Sequence, residues 1–295
     1  MVRFVNAKIN LGLDVVRRRP DGYHELSSVF FPIGLHNGSP ENPEPFNDIL
    51  EVHLRGNGRE DEFVFSGRKV ACRPDENIVV KAVSLFRSAL ADRGSFLPAV
   101  SLRLDKHIPD GAGLGGGSAD ASFTLRSLND LAGSPFSTSE LLAMAKSLGA
   151  DCPFFIINSP ALASGIGEVL TPVRVNLDGC WILVVKPDVY VSTREAFAGI
   201  VPALPSRHIS SIISLPVADW AAAGLKNDFE PHIFRLHPEF AELKTFLYSS
   251  GALYASMSGS GSSIFGIFPS RSAVVDAASA VSSRFPDALP FIIKP

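Results

Sequence analysis

Cysteine is scarce, with Cys72, Cys152 and Cys180 the only three in 295 residues. They are too few and too scattered for a disulfide framework or a zinc site, so a reducing, cytoplasmic setting is expected. Basic runs are missing too. The net charge is −3, and the densest run, Arg17-Arg18-Arg19, reads as a solvated turn at the end of a hairpin strand. Nothing here makes an electrostatic case for nucleic acid. No apolar run approaches the roughly 18 residues a membrane helix needs. The N-terminus enters a strand pattern almost at once, so no signal or transit segment is expected. There is no repeat period, low-complexity block or disordered tail. With 46% hydrophobic and 19% charged residues, the chain reads as compact and long enough for two domains.

Side chains are also missing from one short stretch. Five of the seven residues from Gly111 to Gly117 are glycine, within Pro109-Asp110-Gly111-Ala112-Gly113-Leu114-Gly115-Gly116-Gly117-Ser118-Ala119-Asp120. An amphipathic helix follows directly, with Ala121, Leu125, Leu128 and Ala132 on one face. A bare backbone can approach a ligand closely. Its N–H groups and the positive end of the helix behind it suit an anion, and phosphate is the obvious one. Gly111, Gly113 and Gly116 satisfy G-x-G-x-x-G, but the acidic ribose ligand of a dinucleotide fold is absent, since Asp130 lies on the same helix. No Gly-Lys-Ser/Thr follows, which excludes a Walker A loop. The valine of a protein-kinase glycine loop is missing as well.

Around this loop the sequence reads as α+β. Residues Lys8 to Val15 alternate as a strand, with Ile9, Leu11, Leu13 and Val15 on one face and Lys8, Asn10, Gly12 and Asp14 on the other. Arg19-Pro20-Asp21-Gly22 is turn chemistry, and Val29 to Ile33 completes a hairpin. Residues Gly38 to Asn47 read as a proline-rich loop. Glu76 to Arg93 is a helix with a stripe of Ile78, Ala82, Leu85 and Ala89; Val100 to Lys106 is a strand leading into the glycine loop. Ser137-Thr138-Ser139-Glu140 is a capping box opening a helix to Leu148. Phe154 to Ile157 and Trp181 to Val185 are expected as buried strands, with a domain boundary between them. Helices are expected at Thr193–Gly199, Val217–Ala223, Pro238–Tyr248 and Ser270–Phe285. A strand–turn–strand spans Ala252 to Phe268, and Phe291–Ile293 is a last strand.

If the loop holds a nucleotide triphosphate, phosphoryl transfer needs a cation near the moving group, a metal, and a base or polarising group for the acceptor hydroxyl. Lys8 and Asn10 share the polar face of the first strand. Asp151 opens an apolar stretch, where desolvation tunes a carboxylate. Ser118, the first hydroxyl after the glycines, could bind phosphate or magnesium-bound water, and Asp120 is a second group near the metal. The glycine- and serine-rich turn from Ser256 to Ser263, with Ser258, Gly259 and Ser260 at its centre, suits a second anion-binding concavity. Taken singly, a strand lysine is usually a solvated edge residue, an aspartate after a helix a turn former, and a tyrosine or histidine a packing residue.

Together these segments resemble the GHMP small-molecule kinases, whose second motif has the form P-x-x-x-G-L-G-S-S-A. Pro109 to Asp120 is similar to it, Lys8-Ile9-Asn10-Leu11 to the first motif and Ser256 to Ser263 to the third. Ala7 to Leu11, Asp21 to Leu26, Gly149 to Phe155, Gly165 to Glu168 and Asn227 to Pro231 bring the match closer to one branch, acting on a cytidine diphosphate-linked methylerythritol in the non-mevalonate route to isoprenoids. The resemblance implies two domains, residues 1–165 (ribosomal protein S5 domain 2-like) and 166–295 (ferredoxin-like), with the site in the cleft between them. It implies ATP and Mg2+ as cofactors, and a chain working as a monomer or weak homodimer. Lys8 and Asp151 would be catalytic. Lys106, Pro109, Gly111, Ala112, Gly113, Leu114, Gly115, Gly116, Gly117 and Ser118 would bind ATP. Asn10, Tyr23, His24, Asp151, Thr193, Phe197, Ser258, Gly259 and Ser260 would bind substrate, with cytosine stacked between Tyr23 and Phe197. No metal-ligating side chain is assigned. Homoserine- or mevalonate-type kinases and a non-catalytic nucleotide-binding homologue are the rival readings. Asp110 departs from the apolar residue usual after the proline, and is expected to point outward.

Overall fold

The computed structural model describes residues 1–35, 42, 45–56, 60–70 and 72–295. The loop expected at Gly38–Asn47 therefore lies largely outside the described residues. The chain forms two compact units, each drawn from several segments. One holds Met1–Ala7, Asn47–Asp110 and Gly115–Asn158; the other holds Lys8–Phe46, Gly111–Leu114 and Ser159–Pro295. Elements are numbered along the chain.

The first unit is built on a four-stranded sheet in the order β1 (Val2–Val5), β4 (Asp48–Leu54), β6 (Val100–Lys106), β5 (Glu62–Gly67). Only the β5–β6 pair is parallel. Helices α1 (Ile78–Ala91), α2 (Gly116–Leu131), α3 (Thr138–Leu148) and α4 (Cys152–Ile157) belong to the same unit, with α2 packed on α1, α4 and β4. Asn77 caps α1 by accepting the Val79 N–H at 3.1 Å. The buried stripe of α1 is Val79, Ala82, Val83, Phe86 and Leu90, rotated from the one expected because Phe86 and Leu90 turn inward ahead of Leu85 and Ala89. The Ser137 capping box on α3 is formed as expected.

Helix α4, Cys152–Ile157, corrects the sequence reading, which expected a strand over Phe154 to Ile157. The segment is a helix, with Pro153 in the first turn and Asn158 in the left-handed conformation behind it. A fully buried apolar run carries no period that separates strand from helix. The proline is the discriminating signal, since a first-turn N–H has no helical partner to lose.

The second unit contains two sheets. In one, β2 (Ala7–Arg18) and β3 (His24–Ile33) form the expected hairpin, extended by β7 (Ala161–Ser164) and β8 (Val169–Pro172) in the order β2-β3-β7-β8. The last two strands were not foreseen. Gly165 to Glu168 forms the turn between them, with the Glu168 carboxylate accepting the Ile166 N–H at 2.7 Å.

The other sheet is antiparallel throughout, in the order β10 (Tyr254–Met257), β11 (Ile264–Phe268), β9 (Trp181–Lys186), β12 (Leu289–Ile293). With helices between β9 and β10 and between β11 and β12, this is a split β-α-β-β-α-β arrangement. Helices α8 (Pro238–Ser249) and α9 (Arg271–Arg284) pack on it and close a core around Leu183, Phe240, Leu247, Phe268 and Val281. Shorter helices are α5 (Thr193–Ala198), α6 (Ile209–Ile212) and α7 (Glu230–Leu236). The helix expected at Val217–Ala223 reduces to a 3-10 turn at Val217–Asp219. No described helix is long and apolar enough to cross a membrane.

Candidate active site

The polar face of β2 is buried, which is unusual for a strand reading as half polar. Lys8 is 3% exposed and Asn10 2%. Buried polar groups need partners, and these have them. The Lys8 ammonium donates to Asn10 Oδ1 at 2.5 Å and lies 4.9 Å from the centre of the Phe30 ring. Asn10 Nδ2 donates to Ser28 Oγ at 2.8 Å, and Ser28 in turn donates to the Gly12 carbonyl at 2.6 Å.

The first half of the glycine loop is stitched to this strand and to the β10–β11 turn. The Lys8 N–H donates to Leu114 O at 2.9 Å and the Ser263 N–H to Ala112 O at 3.1 Å. Ser258 Oγ donates to Gly113 O at 2.8 Å and accepts the Asn10 N–H at 3.3 Å. Gly113, at φ +74°, lies so close that a Cβ there would sit 1.9 Å from Ser258 O. The hydroxyl of Ser258 is thus spent on the loop. Its neighbour Gly259 is buried, and Ser260 is half-buried at the tip.

Two residues outside the expected site set this turn. Asn227 Nδ2 donates to the carbonyls of Met257 and Gly259, both at 2.8 Å, and its Oδ1 accepts the Phe229 N–H. Glu230 accepts the Met257 N–H at 2.8 Å and the Ser256 hydroxyl at 3.0 Å. The Asn227–Pro231 motif marked a likeness in the sequence, but no local pattern disclosed this role.

Tyr23 is 61% exposed. His24 stacks on Phe197 with ring centres 4.8 Å apart and planes at 20°. Phe197 meets Phe229 edge-on at 4.8 Å. The structure therefore joins His24 to Phe197, two of the three residues expected around the cytosine. Thr193 is the exposed first residue of α5. Unforeseen is Tyr190, whose ring lies against Gly111: a Cβ on that glycine would come within 2.5 Å of it.

In the first unit, the loop ends in Gly115, which caps α2 at φ +72° and leaves the first N–H groups of the helix without side-chain partners at that cap. Pro109 is buried and Asp110 exposed, as its charge requires beside a phosphate cradle. Behind the loop, Lys106 Nζ donates to Asp48 and to Asp120, the latter at 2.6 Å. Burial pulls the Lys106 ammonium down; the Asp120 and Asp48 charges more than reverse this and leave it above the usual lysine range. Asp120, fully enclosed, is pushed well above the usual carboxylate range by burial, with Lys106 opposing. Its Oδ1 is buried without a donor. Lys106 also lines a pocket of about 270 Å³ whose walls include Phe65, Gly67, Val70, Pro74 and Asn77.

Asp151 is half-buried at the N-cap of α4. Two residues before it, a Cβ on Gly149 would lie 3.9 Å from Ser118 Oγ and 3.3 Å from Cys152 Sγ. Burial pushes the Cys152 thiol up to about 11, so it is a packing residue and not a nucleophile. Among the described residues no group of three or more His, Cys, Asp or Glu is placed to hold a metal.

The GHMP kinases N terminal domain matches residues 77–159, and the GHMP kinases C terminal domain residues 215–287. A Bacteroides fragilis protein named 4-diphosphocytidyl-2-C-methyl-D-erythritol kinase is 46% identical over 270 residues, 91% of this chain and 92% of the relative. A crystal structure of 4-(cytidine 5'-diphospho)-2C-methyl-D-erythritol kinase superposes with a TM-score of 0.78 at 31% identity, covering all of both chains. Homoserine kinase from Cytophaga hutchinsonii superposes with a TM-score of 0.67 at 19% identity, covering 99% of this chain and 94% of that one, a likeness of fold alone.

Proposed function

The chain belongs to the GHMP kinase family, among its 4-diphosphocytidyl-2-C-methyl-D-erythritol kinases, and from that premise we propose that it moves the γ-phosphoryl group of ATP to the 2-hydroxyl of 4-diphosphocytidyl-2-C-methyl-D-erythritol. The reading is carried by the 46% identity that extends over 91% of the chain. It serves isoprenoid precursor synthesis, in the cytoplasm.

The residues divide the work. The backbone N–H groups from Gly111 to Ser118 receive the triphosphate, and the pocket beside Lys106 receives its base. Asp151 takes the proton of the 2-hydroxyl as that oxygen bonds to the γ-phosphorus and the bond to the β,γ-bridging oxygen breaks, releasing ADP. Lys8 polarises the hydroxyl. Asn10 contacts the methylerythritol, Thr193 and the Ser258–Ser260 turn contact the substrate beyond it, and Tyr23, His24 and Phe197 hold the cytosine. One hydroxyl at Ser118 among backbone donors fits magnesium, which keeps phosphate and water oxygens as most of its ligands. When bound it neutralises charge on the triphosphate. Residues 1–165 and 166–295 are the two family domains in this reading.

The test is a coupled ADP-release assay on three alcohols. Turnover with the cytidylylated methylerythritol, and at least about a hundredfold less with homoserine or mevalonate, is expected; comparable turnover with either would overturn the substrate assignment. Asp151→Asn should abolish turnover while ADP still binds, and full activity in that variant would remove the base from the mechanism.

A further inference from the structure

The buried triad behind the loop has a task that the proposed reaction does not use. Lys106, Asp48 and Asp120 have side chains 5%, 0% and 3% exposed. They come from the end of β6, the start of β4 and the first turns of α2. Asp48 does more than accept from Lys106. Its Oδ1 also accepts the N–H groups of His107 at 2.6 Å and Ile108 at 2.8 Å, the two peptides between Lys106 and Pro109. On the other side of the lysine, Asp120 sits four residues after Gly116, the first residue of α2. That glycine packs so tightly that a Cβ would lie 2.9 Å from Ile108 Cγ2 and 3.3 Å from Lys106 Nζ. One ammonium therefore ties the strand leading into the phosphate loop to the helix leaving it.

We propose that Lys106 is a positioning residue, whose bonds to Asp48 and Asp120 fix the N-terminal N–H groups of α2 relative to the end of β6 so that they meet a polyphosphate. This rests on the nucleotide reading above and assigns Lys106 a role within that site. Direct contact between Nζ and the base would draw the ammonium from one of two buried carboxylates. Leaving such a group unpaired costs more than a bond to a base nitrogen returns. The aliphatic stem is the part of Lys106 that suits the pocket wall.

The clamp and a base contact make opposite demands on ligands. If Lys106 sets the phosphate-binding amides, its loss weakens binding of ADP and leaves adenosine alone. Calorimetric titration of the intact chain with each ligand decides. Lys106→Met should lose about tenfold or more in ADP affinity, with adenosine changed less than about twofold. Asp120→Leu, which cannot touch the base through Lys106, should give the same split, and Asp120→Asn, still an acceptor for Lys106, should recover ADP binding to within about threefold of the unsubstituted protein. Parallel losses of ADP and adenosine in Lys106→Met would make Lys106 a base ligand and overturn the clamp. So would unchanged ADP affinity in Asp120→Leu, the variant that decides if Lys106→Met does not fold. Failure of the unsubstituted chain to bind ADP at all would instead overturn the nucleotide reading, and the clamp with it.

Discussion

Gly113 has room for a hydrogen and nothing larger. At φ +74°, with Ser258 O 1.9 Å from where a Cβ would stand, Gly113→Ala must move either the loop or the β10–β11 turn. Gly117, four residues on, is helical, and its Cβ would meet only Ile78 Cγ2 at 4.0 Å. The same substitution should therefore have opposite signs. Gly113→Ala should lower stability by at least about 2 kcal/mol, and Gly117→Ala should raise it by up to about 1 kcal/mol through helix propensity. Thermal melts of the two variants check this, and equal shifts would contradict it. Composition marked both glycines alike; only the backbone conformation separates them. Tyr23 makes the converse case. It is 61% exposed, so Tyr23→Ala should leave the melting temperature unchanged. It should raise KM for the cytidylyl substrate by about tenfold, the worth of one stacked ring, with KM for ATP nearly untouched. Equal effects on both would contradict the stacking role.

Among elements, those with a local signal were readable and those defined by distant partners were not. The Ser137 box, the alternation of β2 and the glycines before α2 each state their structure within a few residues. β7 and β8 are four residues each and exist because β3 offers an edge to pair with, which no window of sequence reveals. In the same way the buried face of β2 was legible as polar, but not as enclosed. The site followed this division. Lys8, Asn10 and the loop stood out by type and spacing, whereas Asp48, Asn227 and Glu230 act across long separations in sequence. Asn227 gives the sharpest test at this scale, being 1% exposed with both side-chain ends bonded to backbone. Asn227→Ala strands two carbonyls and an N–H group, and should cost about 2–4 kcal/mol in urea unfolding. The Phe229 amide should then lose its protection from hydrogen exchange.

For the molecule as a whole, a net charge of −3 leaves little global electrostatics, so the pH dependence of stability falls to individual buried groups. Asp14, further along the β2 face that carries Lys8, is 4% exposed, and its Oδ2 has no hydrogen-bond partner. Burial first, then the neighbouring Asp228 charge, push it up to about 6 from the 3.8 of a free aspartate, against the opposing pull of Lys226 and His208. A carboxyl whose folded pKa is raised holds its proton more tightly folded than unfolded. Its contribution is thus fully present below about pH 4 and is lost as the pH rises through about 6, a change of at most roughly 3 kcal/mol. Asp14→Asn keeps the shape and removes the titration. Its stability relative to the unsubstituted chain should climb between pH 4 and pH 7 and then level off. A difference that stays flat across that window would show that Asp14 does not titrate there, and that water or an unseen donor reaches its carboxylate.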